Sequence, residues 1–479
     1  MSAWERARGG LRGIREEGAL PLLVAGTFFM QTLDGSVITP AIPAMAQAFR
    51  VRPVDLNIGV SAYMLTVAIF IPVSGWAAQR WGARRIFLLS ILVFTLASLA
   101  CGMSQSLPQF VAARVAQGLG GAMMVPVGRR VVLELTPKDR LMGVIALLTW
   151  PGLLAPVLGP PLGGVISDSA NWRWIFWLNL PLGAIALTAA LKLLPRLGRD
   201  PDLPFDWIGF GLIAPGLFCL LFAAEALGHG AVDWTREGAL LAGAVILLGL
   251  GLRHLLRAAQ PMLRFDALRH SSFRISVRGG SLFRLGINAV PFLLPLMFQV
   301  AFGWSALTAG LMLTAIFAGN IVMKPFTTPV LRRFGFRSVL VVNGVLNAAA
   351  IAAMVLVGPE TPVGPVLALL FVSGLARSMQ FTALTTLAFA DVPQAEMGTA
   401  NTLFSTLVQL SRGLGVALGA IGWRLGTGLF PEDPAAGFRL AFALVAAISL
   451  LAVIDSLRLA RDAGDAVAHR GRHVRTRAS

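Results

Sequence analysis

The sequence predicts an all-α membrane protein with about fourteen transmembrane helices, and three observations carry that prediction. Of 479 residues, 56% are hydrophobic and 13% charged, with a mean hydropathy of +0.74, whereas soluble domains carry about a quarter charged residues. Separate stretches of roughly twenty apolar residues recur along the chain, each long enough to cross a hydrocarbon layer of about 30 Å as a helix. The basic residues, finally, gather in alternate loops, the bias that retains positive charge on the cytoplasmic side of a membrane.

The elements follow in order. Arg6, Arg8, Arg12 and Arg15 lead directly into a first span at 19–41. That span is too long for the apolar core of a signal peptide and has no small-residue cleavage site, so it is expected to be retained. Spans at 57–78, 86–104, 108–133, 141–165 and 173–194 complete a group of six. Two more, at 207–225 and 238–257, precede a connector carrying Arg257, Arg264, Arg269 and Arg274. A second group of six lies at 275–299, 304–330, 338–357, 362–388, 400–426 and 436–459.

Loops after even-numbered spans hold Arg80, Arg84 and Arg85, then Arg129, Arg130, Lys138 and Arg140, then Arg196 and Arg199, then Arg332, Arg333 and Arg337. Loops after odd-numbered spans are nearly free of Lys and Arg. Both termini are therefore expected in the cytoplasm, in keeping with the basic tail from Arg470 to Arg477. The exception is the loop from Ala390 to Thr399, which has Asp391 and Glu396 but no basic residue. The net charge of +17 thus reads as topology, not as affinity for nucleic acid. Cys101 and Cys219 fall inside spans without metal-ligand or disulfide spacing and read as packing residues; no metal or cofactor is expected.

The segment Gln79-Arg80-Trp81-Gly82-Ala83-Arg84 after the second span is echoed by Arg332-Arg333-Phe334-Gly335-Phe336-Arg337 after the tenth. Two related halves explain the echo: a six-helix bundle over 1–194, a two-helix insert with its basic connector over 195–274, a second six-helix bundle over 275–460 and a basic tail over 461–479. Transporters built from repeats hold substrate near the bilayer midplane and rock one half against the other.

Four local patterns give this organisation a family likeness. The first span contains Leu33-Asp34-Gly35-Ser36-Val37-Ile38-Thr39-Pro40, and the loop after the second contains Gly75-Trp76-Ala77-Ala78-Gln79-Arg80-Trp81-Gly82-Ala83-Arg84-Arg85. The fourth holds Arg114-Val115-Ala116-Gln117-Gly118-Leu119-Gly120-Gly121. The fifth holds Gly152 and Pro156-Val157-Leu158-Gly159-Pro160-Pro161-Leu162-Gly163-Gly164, and Trp172-Arg173-Trp174 opens the sixth. In this order and spacing the chain resembles the major facilitator superfamily, specifically its fourteen-span drug:proton antiporter branch. The resemblance implies that fold, a monomer in the bacterial inner membrane, small molecules and protons as partners alongside lipid, proton transfer at Asp34 and Arg114, and export as the direction associated with the fifth-span motif.

The chemistry of these residues can be read independently. An ionised carboxylate at Asp34 is costly in mid-span and a protonated one tolerable, so its hold on a proton depends on access of water or substrate. Arg114 stays charged and needs compensation; it reads either as a partner in proton transfer or as an ion pair holding helices. Gly159, Gly163 and Gly164 permit close helix packing, while Pro156, Pro160 and Pro161 are expected to bend the fifth span. Where the family usually has an aspartate this chain has Gln79, which hydrogen-bonds but cannot carry charge. With Gly75 and Gly82, Arg80 and Arg84 are candidate gating residues, positive-inside anchoring being the other reading.

The later spans add cations: Arg278 and Arg284 with Asn288, then Lys324, Arg377 and Arg412, with few acids nearby beyond Asp34 and Glu225. Each is costly against lipid, so a positive cavity for an anionic substrate, or a metal chelated by a citrate-like acid, is expected. Snorkelling to an interface is the other reading for Arg278, Lys324 and Arg412. Gln31, Tyr63, Gln117, Gln299 and Gln380 are candidates to line the same space or to bond helices together. Polyspecific efflux of hydrophobic or cationic compounds is the alternative substrate reading. An enzyme lacks parts here: there is no Gly-rich phosphate loop, and the five histidines show neither zinc nor triad spacing. A channel or a non-transporting receptor remains a different class of answer.

Overall fold

The computed structural model describes residues 3–228, 233–460 and 462–468. His229, His469, His473 and the Arg470–Arg477 tail lie outside the described residues. Among the described residues fourteen helices are long and apolar enough to cross a membrane, and no strand is present. The chain is a multi-pass all-α membrane protein. In chain order the helices are α1 (Ala3–Val37), α2 (Asn57–Trp81), α3 (Ala83–Met103), α4 (Leu107–Leu135), α5 (Leu141–Ser169), α6 (Asn179–Leu193) and α7 (Trp207–Gly228). They continue as α8 (Trp234–Leu255), α9 (Ser271–Leu296), α10 (Ala306–Phe334), α11 (Phe336–Ala353), α12 (Val363–Ala390), α13 (Met397–Leu429) and α14 (Pro434–Leu457).

Local chemistry sets several of these limits. The Asp233 side chain accepts the backbone N–H groups of Thr235 and Arg236 to start α8, and Ser305 does the same for Thr308 in α10. Asp433 caps α14, where Pro434 enters at a position needing no N–H. The echoed segments form matching turns. Gly82 (φ 91°) separates α2 from α3, and Gly335 (φ 78°) separates α10 from α11, a backbone region that residues with a Cβ rarely adopt. Two residues past each glycine an arginine donates to a backbone carbonyl near the end of the sixth helix of its own repeat: Arg84 Nη2 to Leu191 at 2.6 Å and Arg337 Nη2 to Leu457 at 2.9 Å. The two turns are therefore fastened alike.

The chain falls into two compact units. One comprises Met1–Leu135, Leu147–Asp266 and Gln394–Ile421; the other comprises Thr136–Ala146, Ala267–Pro393 and Gly422–Ser479. In the first, α4 is clamped tightly: a Cβ at Gly118 would meet Thr66 and the Tyr63 carbonyl of α2, and one at Gly120 would meet the Ser90–Phe94 backbone of α3. Phe70 with Phe210, and Trp76 with Phe205, fix the inserted helices on α2, over a core of Val73, Ile213, Leu217, Leu255, Met262 and Leu263. The insert is peripheral, since 17% of the apolar window of α8 is buried against 61% in α2.

The structure amends three expectations. Arg129 and Arg130 are not loop residues, because α4 continues to Leu135; nor are Arg80, Arg332 and Arg333, in the last turns of α2 and α10, or Arg84, Arg85 and Arg337, in the first turns of α3 and α11. The prolines of the fifth span lie within a single helix, α5 running from Leu141 to Ser169, with Gly159 and Gly163 buried and Pro160 and Pro161 exposed. The loop after Ala390, lacking a basic residue of its own, receives one from 136–140. Lys138 Nζ donates to the carbonyls of Phe389 (2.7 Å), Ala390 (3.1 Å) and Val392 (2.5 Å). Burial pulls that ammonium below the ordinary lysine value, and Asp391 opposes the shift.

Candidate functional site

The first unit is organised around Asp34 on α1, whose side chain is inaccessible to solvent. Arg114 on α4 donates Nη1 to Asp34 Oδ2 at 2.6 Å. One turn on, Gln117 donates Nε2 to Asp34 Oδ1 at 2.8 Å and accepts Arg114 Nη1 at 2.6 Å. The i, i+3 spacing places both side chains on one helix face. Asn179, the first residue of α6, donates Nδ2 to the same Oδ1 at 2.9 Å. Ser98 on α3 accepts the second proton of each amide, from Gln117 at 2.6 Å and from Asn179 at 3.0 Å. The Tyr63 ring covers the guanidinium, 4.2 Å from its carbon to the ring centroid, a cation–π contact strengthened by the dry surroundings. A Cβ on Gly121 would lie 3.1 Å from both Gln31 Nε2 and Tyr63 Oη. Asp34, Arg114, Gln117, Tyr63 and Gln31 are thus neighbours, and two charges are buried as a bonded pair, the condition under which burial is tolerated.

Sequence reasoning missed Asn179 and Ser98. Neutral polar residues are frequent in spans, and the available signal was an asparagine two residues before a proline in the sixth span. It also left Glu225 near a span end without a partner, whereas Ser61 Oγ on α2 bonds Glu225 Oε1 on α7.

Around α1 the fifth-span glycines act as sockets. A Cβ at Gly159 would meet Ser36, and one at Gly163 would meet the Val37 carbonyl; Ser36 Oγ donates to the Ala155 carbonyl at 3.0 Å. Gly164 has open space around it. At the turn after α2, Arg80 Nη1 donates to the Leu203 carbonyl at 2.9 Å, and the Gln79 carbonyl accepts Asp200 N–H at 2.9 Å. Trp76 Nε1 donates to the Pro204 carbonyl at 3.0 Å, so the connector is strapped across the turn by its main chain. The Gln79 side chain faces a cavity of about 370 Å³, which Asp200, Asp206, Arg264 and Thr402 also line. Gly75 is the socket for Thr402 of α13, and Gly398 for Arg130 and Glu134. Arg130 Nη1 donates to the Gly75 carbonyl at 3.2 Å and pairs with Glu134 at 2.7 Å; Asn401 Nδ2 donates to the Pro126 carbonyl at 2.8 Å. The start of α13 is therefore gripped by α2 and α4.

The second unit has a different polar centre. Arg284, 2% exposed, donates Nη1 to the Ser276 carbonyl at 3.3 Å, with its guanidinium 5.9 Å from the Phe381 ring centroid. Lys324, 4% exposed, donates Nζ to Thr382 Oγ1 at 2.8 Å. The two cations converge on consecutive residues of α12. Lys324 is thus buried, whereas the Arg278 side chain is 65% exposed and 3.9 Å from Asp455. Arg377 is partly buried and Arg412 exposed on its helix. Asn288 is tied to its own helix through the Arg284 carbonyl at 2.7 Å. Gln380 faces α11, accepting Asn343 Nδ2 at 2.9 Å and donating to the Leu340 carbonyl at 3.2 Å; it bonds helices.

A membrane bundle of two echoing repeats with an acid–arginine pair at the heart of the first narrows the family, and sequence comparison decides it. The profile of the Major Facilitator Superfamily matches residues 24–416, and again 279–476. The chain belongs to the Major Facilitator Superfamily. As a member it is a transporter and not an enzyme. It is 36% identical over 400 residues to a protein of Pectobacterium carotovorum named "Putative multidrug resistance protein MdtD", covering 83% of this chain and 85% of that protein. Likeness to the Klebsiella pneumoniae protein of the same name is 36% over 400 residues, covering 83% and 84%. Among solved structures, the human organic anion transporter MFSD10 superposes with a TM-score of 0.66 at 18% identity, over 92% of this chain and 99% of that one. The proton:xylose symporter XylE superposes with 0.64 at 13%, over 94% and 97%. At those identities the shared property is the fold.

Proposed function

We propose that this transporter is a proton-coupled antiporter of the bacterial inner membrane that exports small molecules by alternating access, as a monomer in lipid with both termini in the cytoplasm. The observation that carries the reading is the Asp34–Arg114 pair: an acid sealed in mid-span, whose charge is balanced inside the protein and whose protonation would free the arginine. Asp34 and Arg114 couple the proton. Gln31 and Tyr63, and Arg284, Asn288, Lys324 and Arg377, form the polar surfaces that substrate meets, while Gln117 supports the Asp34 pair and Gln380 holds α11 to α12. Gly75, Gln79, Arg80, Gly82 and Arg84, with Gly159, Pro160, Gly163 and Gly164, serve the conformational change. The division into repeats over 1–194 and 275–460, around the insert 195–274, belongs to the same proposal.

The substrate we assign is anionic, or a metal chelate of a citrate-like acid. Helices α9 to α13 contain no Asp or Glu at all, yet carry Arg284, Lys324 and Arg377, so their summed field attracts a negative solute. The name of the relatives, multidrug resistance protein, favours polyspecific efflux of hydrophobic or cationic compounds as the second reading. Reconstituted vesicles with an imposed pH gradient test both. Gradient-driven transport should be lost in Asp34→Asn, and citrate should compete where ethidium does not. Gradient coupling that persists in Asp34→Asn removes the proton site, and ethidium efflux that survives both Arg284→Ala and Arg377→Ala removes the anion assignment.

A further inference from the structure

We infer that Asn179 is a positioning residue that governs when Asp34 can take a proton, being the donor to the carboxylate that a movement of α6 withdraws. The inference rests on the reading of Asp34 as the proton site. Among the described residues three side-chain N–H donors reach Asp34: Arg114 on Oδ2, and Gln117 and Asn179 together on Oδ1. Each offers hydrogen and none offers a lone pair in this arrangement. A proton on Oδ1 would therefore point at a donor, and since every one of these bonds favours the charged acid, withdrawing a donor strengthens the hold of Asp34 on a proton.

The three are not equally free to go. Arg114 and Gln117 sit a turn apart on α4, a helix unbroken from Leu107 to Leu135 and locked at Gly118 and Gly120. They also bond each other, since Gln117 Oε1 accepts Arg114 Nη1 at 2.6 Å; turning the Gln117 amide over would set its NH₂ against the guanidinium. Asn179 stands on a different footing. A short helix, Trp174–Trp177, ends at Leu178, and α6 begins at Asn179. Pro181 has no N–H for the Trp177 carbonyl, so the ladder is missing a rung at this point. The missing rung lies immediately beside the donor, at a Leu178 that keeps helical dihedrals (φ −55°, ψ −30°). Rotation of α6 about Leu178 would move the Asn179 amide without disturbing the pair on α4.

The ionisable groups facing the carboxylate are Arg114 from α4, Tyr63 from α2 and Cys101 from α3, whose Sγ lies 3.7 Å from Gln117 Oε1. At its closest approach to α1, α5 presents Gly159 and Gly163, and α6 presents the neutral Asn179. Ser98 acts one step further out, because it accepts the second proton of both amides and so aims them.

The test needs no substrate. The full chain, purified in lipid nanodiscs, is titrated while the infrared band of protonated carboxyl groups is recorded, and the component that Asp34→Asn removes is followed. In Asn179→Ala its midpoint should move upward by about one pH unit, roughly tenfold in proton affinity, the worth of one hydrogen bond to a charged group. Ser98→Ala should move it by less in the same direction. An unshifted or downward midpoint in Asn179→Ala overturns the inference. Should Asn179→Ala fail to give monodisperse protein, an unshifted midpoint in Ser98→Ala overturns it instead. If Asp34→Asn removes no titrating component, the reading of Asp34 as the proton site falls, and this inference with it.

Discussion

The polar centres of the two repeats are built on opposite principles. In the first, a carboxylate is the focus and everything around it donates: Arg114, Gln117 and Asn179 converge on Asp34, and Ser98 aims two of them. In the second, cations are the focus and the protein supplies neutral oxygens, from the Ser276 carbonyl to Arg284 and from the Thr382 hydroxyl to Lys324. The outer frame is nevertheless shared, as the turns at Gly82 and Gly335 and their arginines show. The contrast teaches that an ancestral repeat can keep its scaffold fixed while the charge at its heart is rewritten.

That contrast can be broken in graded steps. The largest effect is expected from Asp34→Ala. It strands Arg114 in a site with no solvent access and should cost about 3–5 kcal/mol, read as a large fall in the thermal midpoint in detergent. Asp34→Asn keeps a hydrogen-bonding partner and should fall distinctly less. Next, Arg284→Gln combined with Lys324→Gln should lower citrate transport about tenfold or more, by loss of charge-assisted bonds, and leave ethidium transport unchanged; equal losses for both probes would erase the functional distinction between the centres. Gly82→Ala comes third. The space around Gly82 is open, so only its backbone (φ 91°, ψ 131°) penalises a Cβ, at about 1–3 kcal/mol, and Gly335→Ala should cost a similar amount if the turns are equivalent. The smallest effect, about 1 kcal/mol, is expected for Lys138→Met, which leaves the carbonyls at the end of α12 without their cation.

Much of the architecture was legible because lipid imposes a strong rule: about twenty apolar residues per crossing, and basic residues retained on one side. The juxtaposition of Asp34 and Arg114 was legible for the same reason, since a buried cation requires an acid and very few acids were on offer. Asn179 and Ser98 were not, because a neutral amide or hydroxyl in a span can be satisfied by many partners and hydropathy does not register the difference. Arg129 and Arg130 were misplaced for a related cause. A helix that extends past the apolar window carries its basic residues with it, and only the coordinates show Arg130 held at Glu134 and the Gly75 carbonyl. The burial of Lys324 was equally hidden, because its depth is set by Thr382, 58 positions away in the chain.

Tyr63 is the single tyrosine of the chain, and its ring lies against the Arg114 guanidinium. Biosynthetic incorporation of fluorotyrosine would therefore yield one fluorine resonance and no background. Its chemical shift would register every departure of the arginine from beneath the ring, so a transporter of unaltered sequence reports on the point where Arg114 meets Asp34.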